Sequence, residues 1–162
     1  MAIYIDYADK EISGCVTAKE YEDMFEVDSF QFGVGRGISM EVGNASNRES
    51  TRPSISEVTF SKSMDLSGNM LLQEALVGSE GKTVIIHFVN TGADKLEEYL
   101  TYTLEDCLIS SYSVSASSEG APQESASLSF TRFETKYTGR DAVNAAGDQP
   151  IVAYNLATGE PT

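Results

Sequence analysis

The chain has 162 residues, enough for one domain with its own core, and 41% of them are hydrophobic, which excludes wholesale disorder. With 25 acidic against 11 basic residues it carries a formal charge of −14. A surface of that sign repels nucleic-acid phosphates and anionic lipid, so neither is expected as a partner. Cys15 and Cys107 lie far apart and match no metal or disulfide framework. Two free thiols, buried or half-buried, are expected, as in a protein made in a reducing compartment. Met1 to Asp6 lacks a basic region and a long apolar run, and no apolar stretch approaches the roughly 20 residues that span a bilayer. Membrane insertion is not expected, and export would need a route without a cleaved signal peptide.

Ile3, Ile5 and Tyr7 alternate with Tyr4 and Asp6, which predicts an opening strand. Lys10 to Asp23 is polar and turn-rich. Phe25 to Val34 reads as a second strand, with Phe30, Phe32 and Val34 on one face. From Gly35 to Arg52 the chain is polar and too long for a simple connection, so an exposed functional loop is expected. Pro53 bounds the next strand, where Val58 and Phe60 point inward and Glu57, Thr59 and Ser61 outward. Leu66 to Val77 is the one helix, with Ser67 as N-cap, a stripe of Met70, Leu71, Leu72, Ala75 and Leu76, and Gly78 as the stop.

Thr83 to Val89 is rich in β-branched residues and reads as a central strand. Leu100, Tyr102, Leu104 and Leu108 are expected on one strand face, continuing into serine-rich Ser110 to Ser118. Gly120 and Pro122 mark a turn before the longest period-2 run, Ser125 to Tyr137. Thr138 to Gly147 reads as a polar link and Pro150 to Leu156 as a last edge strand. Seven or eight strands with one helix argue a mainly β fold, a sandwich or small barrel.

Chemistry is sparse. Gly33-Val34-Gly35-Arg36-Gly37 has the wrong spacing for a dinucleotide fingerprint, and no helix follows it. His87 is the single histidine, which argues against a zinc or copper site. No nucleophile elbow is present. Glu97, Glu98, Glu105 and Asp106 are expected to be solvated, and Tyr99, Tyr102 and Tyr112 to pack a core edge. No catalytic residue, cofactor or metal is expected. The odd feature is the hydroxyl face of Ser125, Ser127, Ser129 and Thr131, read either as plain solvent exposure or as a surface that meets a neighbour or lines a channel.

Several segments, in order, resemble the haemolysin-coregulated protein (Hcp) family of type VI secretion. They are Val27-Asp28-Ser29-Phe30-Gln31-Phe32-Gly33-Val34, Arg52-Pro53-Ser54-Ile55-Ser56-Glu57 and Thr59-Phe60-Ser61-Lys62-Ser63-Met64-Asp65. Leu108-Ile109-Ser110-Ser111-Tyr112-Ser113-Val114-Ser115, Glu124-Ser125-Ala126-Ser127-Leu128-Ser129-Phe130-Thr131 and Ile151 to Gly159 complete the match. Cys15-Val16-Thr17-Ala18 departs from the family's frequent Gly-Glu-Ser and suggests a subgroup. The resemblance implies one domain over residues 1–162, a compact β-barrel of two antiparallel sheets with one flanking helix. It implies hexameric rings that stack into a secreted tube, made in the bacterial cytoplasm, working with spike and sheath proteins and carrying small effectors in the lumen. On this reading the long loop reaches a neighbouring subunit or ring through Arg36, Ser39, Glu41, Asn44, Asn47, Arg48 and Glu49. Ser115 and Ser117 are the expected lumen contacts. The alternatives are a bacteriophage-like tail tube subunit and, third, an enzyme or toxin. The roughly 25 residues after Tyr137 are too few for a separate toxic domain.

Overall fold

The computed structural model describes residues 1–39, 42–43, 51–92, 95–139 and 147–162. In chain order its elements are β1 (Ala2–Tyr7), β2 (Phe25–Val27), β3 (Ser29–Gln31), β4 (Val34–Gly35), β5 (Ser54–Ile55), β6 (Val58–Ser63), α1 (Ser67–Val77) and β7 (Lys82–Thr91). There follow β8 (Leu96–Ser115), β9 (Gln123–Ser129), β10 (Arg132–Tyr137), β11 (Ile151–Asn155) and β12 (Glu160–Pro161). One antiparallel sheet has the order β12-β11-β10-β8-β7-β1-β2, and β3, β6, β9 and the far half of β8 make a second. β8 serves both, pairing with β7 and β10 in its first half and with β9 from Leu108 onward. The expected pair of antiparallel sheets with one helix is present, but the strands do not close into a barrel. β4 and β5 form a separate two-stranded ribbon.

The inward faces of the two sheets enclose the core, with Ile5, Tyr7, Phe25, Val58, Phe60, Val84, Ile86, Leu104 and Leu128 buried. The single expected strand Phe25 to Val34 is broken. Val27 pairs with Ile3 in the first sheet, and Ser29 already pairs with Ser61 in the second. Asp28 is the corner, its N–H donating to the Ser61 carbonyl at 2.7 Å. Phe30 and Phe32 turn inward against Tyr102, whereas Val34 sits exposed on the ribbon.

Two other strand readings change for one reason each. Asp106 adopts φ 57°, so one extra residue is spent there and the side-chain phase of β8 flips. Cys107 and Ile109 therefore face the core and Leu108, expected inward, faces out. The run Ser125 to Tyr137 is two strands, since the chain leaves the second sheet at Phe130 and Thr131 to join the first.

Residues 13–24, expected to be merely polar, fold over the outer face of the first sheet. Tyr21 and Met24 bury themselves there with Tyr4 and Val89. Gly14 permits the close approach, because a β-carbon there would stand 2.5 Å from that of Phe25. Cys15 in this segment is exposed, against expectation, because the segment crosses the surface; Cys107 is buried, and both thiols are free.

The helix forms where expected, but its cap and its packing differ. Leu66 is the N-cap and offers no side-chain bond. Asp65 does the capping, accepting the Ser67 N–H at 2.9 Å and the Ser67 hydroxyl at 2.5 Å. Of the predicted stripe only Leu71 is fully buried. What the helix rests on instead is polar. Lys62, third in the inward series after Val58 and Phe60, is buried and donates to Glu124 at 2.6 Å, Asp65 at 2.7 Å and the Ser63 carbonyl at 3.0 Å. The other Glu124 oxygen accepts the Tyr112 hydroxyl. Gly68 of α1 lies directly on that carboxylate.

Gly68→Ala tests this packing. Helix propensity alone favours alanine by about 1 kcal/mol. A β-carbon at Gly68 would overlap the Glu124 carboxylate, which Lys62 and Tyr112 pin in place. The expected net result is a loss of roughly 1–3 kcal/mol, read as a lower Tm; an unchanged or higher Tm would show that the carboxylate yields. A second expectation concerns alkaline pH. Burial first, then the bond to Glu124, pushes Tyr112 up from 10.0 to about 12; burial with nearby Glu98 does the same to Tyr21. Burial beside Asp106 raises Cys107 from 9.0 to about 12. The fold favours the neutral form of each acid, so their stabilisation is complete below the unfolded values and is lost as pH rises through the folded ones. Thermal stability should hold to about pH 9 and fall steadily toward pH 12; a flat Tm profile across that range would contradict these placements.

Candidate functional site

The second sheet buries one face and presents the other to solvent. Strand alternation decides which residues do which. Lys62 and Glu124 point inward, so Ser61, Ser63, Gln123 and Ser125 point outward. The register then aligns the outward residues across the strands. Ser29, Ser61, Ser125 and Ser113 form one transverse row over β3, β6, β9 and β8. Gln31, Thr59, Ser127 and Ser111 form the next, and Ser63, Gln123 and Ser115 a third.

These side chains bond to one another. Ser29 and Ser61 share a hydroxyl bond at 2.5 Å, Ser111 donates to Ser127 at 2.9 Å, and the Gln123 amide donates to Ser63 at 2.9 Å. Cross-strand pairs of this kind are worth about 0.2–1 kcal/mol each. No charged side chain stands in the three rows. Charge begins at their margins, where Asp28 accepts from Ser63 at 3.2 Å and Glu57 from Ser110 at 2.6 Å. On a chain of charge −14 this is a neutral, wet and non-sticky surface.

Both borders of the sheet are open. Among the described residues β3 pairs only with β6, and the far half of β8 only with β9. Exposed edges are normally blunted by lysine, proline or a short strand. The β8 edge, Leu108 to Ser115, has no charge and no proline.

The residues expected to act fall as follows. Ser115 ends the third row and is exposed; Ser117 lies just beyond β8 and is exposed. Arg36 and Ser39 are exposed where the ribbon leaves the body. Thr51 ties the ribbon, its N–H donating to the Gly37 carbonyl at 2.9 Å. Glu41, Asn44, Asn47, Arg48 and Glu49 lie outside the described residues, as does most of the polar link, 140–146. Ser125, Ser127 and Ser129 follow the outward alternation of β9, and Thr131 instead sits at the break where its N–H donates to the Glu105 carbonyl. The face is broader than one strand suggests, because Ser29, Gln31, Thr59, Ser61, Ser111 and Ser113 complete it. Serine at alternate positions of each strand was the available signal; the register that joins them is not local.

The remaining polar groups are distributed rather than convergent. His87 is half-buried, its Nδ1 bonded to Glu98 and its ring edge-on to Tyr21 at 5.6 Å. That bond holds the Glu98 carboxyl below its ordinary value, against the opposing effect of burial. Glu105 is paired with Arg132 at 2.7 Å. Among the described residues no cluster of histidine, cysteine or carboxylate has the makings of a metal site. Nor is any described helix long and apolar enough to cross a membrane.

The family model for the type VI secretion system effector Hcp matches residues 4–137. The chain belongs to the Hcp family. Solved structures share its fold at low identity. A structure described as a type six secretion system protein is 22% identical with a TM-score of 0.90, covering 99% of both chains. Hcp1 from Salmonella typhimurium is 19% identical with a TM-score of 0.76 over 99% of this chain and 98% of its own. A type VI secretion system effector from Yersinia pestis is 20% identical with a TM-score of 0.74 over 94% of this chain and 98% of its own. No curated protein sequence matches this chain. This Hcp chain is two sheets and one helix, and three neutral polar rows cross the outer face of the second sheet.

Proposed function

We propose that this Hcp chain is a structural subunit of the type VI inner tube, closing into six-membered rings that stack and are secreted. The observation that carries the reading is a neutral hydroxyl sheet face bounded on both sides by open strand edges. A ring requires two different surfaces that mate head to tail and close. β3 and the far half of β8 are such surfaces, at opposite borders of one sheet and antiparallel in direction. Edge pairing between copies would satisfy the free backbone groups and extend the sheet around the ring. The hydroxyl rows then line the lumen, and the acidic surface is left for spike and sheath proteins.

In this reading the lumen holds small effectors through hydroxyl bonds at the wall, with Ser115 and Ser117 among the contacts. The ribbon bearing Arg36 and Ser39, with Glu41, Asn44, Asn47, Arg48 and Glu49 further along, reaches another subunit. The family match favours a secretion tube over a bacteriophage tail tube, and a structural role over a catalytic one.

Native mass spectrometry with electron microscopy tests assembly. Six-fold rings are expected, and a monomer at every concentration would remove the proposal. For cargo, Ser117→Gln should leave rings intact and lower co-purification of small effectors roughly three- to fivefold, the equivalent of about one net hydrogen bond. Wild-type recovery would take Ser117 out of the site.

A further inference from the structure

Beneath the C-terminal end of α1 two buried polar atoms bond to no protein group: the Tyr7 hydroxyl and Oε1 of Glu74. Tyr7 is 1% exposed and shares the core with Leu71 of α1. It pairs with Val84 on β7, the strand that begins at Lys82. Glu74 curls under the helix end, where a β-carbon on Gly78 would stand 2.7 Å from that same Oε1. Burial first, then the charge of Glu74, pushes the Tyr7 hydroxyl up, so it keeps its proton. The carboxylate is thus near enough to act on the hydroxyl and too far to bond it. The Lys82 ammonium stands beside them, 4.0 Å from Glu74 Oε1 and 2.5 Å from Glu11.

We propose that a buried water molecule joins Tyr7, Glu74 and Lys82 beneath the end of α1. An unpartnered buried hydroxyl or carboxylate oxygen costs about 1–3 kcal/mol, and native interiors rarely leave one so. The three groups are complementary through a water. The Tyr7 hydroxyl and the Lys82 ammonium donate to it, and it donates to Glu74 Oε1. A buried water typically makes about three such bonds. A metal ion does not fit: Lys82 already supplies the positive charge, and the described residues hold no metal-binding cluster. The buried thiol of Cys107 keeps its proton and is a weak donor, a poor partner for either atom. Side-chain exposure falls along the polar groups that lead inward, from 55% at Glu11 to 19% at Lys82 and 17% at Glu74, which gives a water its route. A strained turn keeps Glu11 over that route. Ala8, Asp9 and Lys10 have φ of 53°, 55° and 65°, and they return the Glu11 N–H to the Tyr7 carbonyl at 3.0 Å. The helix is then seated at its start on a dry ion pair and at its end on a hydrated one.

A high-resolution crystal structure of the wild-type chain is the first test. It should show an ordered water within about 3.2 Å of both Tyr7 Oη and Glu74 Oε1. A direct Tyr7–Glu74 bond, or a dry gap between them, overturns the proposal. Oxygen-17 magnetic relaxation dispersion gives the solution test, because it counts waters held too long to exchange freely. Tyr7→Phe keeps the ring that packs the core and removes the hydroxyl, and should lower that count by about one per chain. Glu74→Met, similar in length but without an acceptor, should give the same loss from the helix side and decides the matter if Tyr7→Phe does not fold. A wild-type count in a folded variant overturns the site.

Discussion

The second sheet takes its orientation from one buried ion pair, Lys62 with Glu124. Removing two charges from water costs several kcal/mol per ion, and the cost is met only when further bonds satisfy the remaining donors and acceptors. Here they do: Lys62 also reaches Asp65 and a carbonyl, and Glu124 also takes the Tyr112 hydroxyl. The consequence for register is larger than the net energy. In a sheet of period 2, a slip of one residue would turn Lys62 outward and bring Ser61 or Ser63 inward. Leaving either charge buried and unpaired costs about 3–5 kcal/mol. The pair therefore selects which face of β6 and β9 carries the hydroxyls. It also seats α1, because Gly68 rests on Glu124 and Asp65, held by Lys62, caps the helix start.

Electrostatics then separates the surfaces by task. The charge of −14 is excluded from the hydroxyl rows. Like-charged surfaces repel over a screening length of about 8 Å at physiological salt. Neutral patches are where copies approach at least electrostatic cost. A wall of serine hydroxyls also differs from an apolar one. It gives neither large buried area nor charge to anything beside it, and each hydrogen bond contributes only about 0.5–1.5 kcal/mol net because water competes for it.

Much of the fold was legible where the pattern is local. β1, β6 and β7 follow from alternation, and the helix from its position between Asp65 and Gly78. The misreadings share a cause, which is that the deciding contact is remote in sequence. The phase flip of β8 rests on Asp106 at φ 57°, a conformation that aspartate tolerates but does not announce. The break at Phe130 and Thr131 appears only once two sheets compete for one run. The α1 stripe was read as a core face because periodicity reports which residues are apolar and not what covers them. Val58, Phe60 and Lys62 did share a parity, yet Lys62 becomes intelligible only with Glu124, 62 residues away. The hydroxyl surface was visible one strand at a time and became a surface through register.

That register has a further physical consequence. Serine is a poor strand former by side-chain packing, and a sheet with serine on one face gains little there from burial. Its stability must come from the other face, where Val58, Phe60, Ala126 and Leu128 pack and the ion pair closes the end. The outward face is thereby released from any structural duty except small size and hydrogen bonding. Substitution there changes what the surface meets more than whether the chain folds. The inward face has the opposite property: a change at Glu124 or Gly68 disturbs the helix seat, the sheet register and the orientation of the hydroxyl rows together. A surface can be tuned independently of its fold when one set of alternate residues carries the stability and the other set carries the contact, and β6 and β9 divide the work in that way.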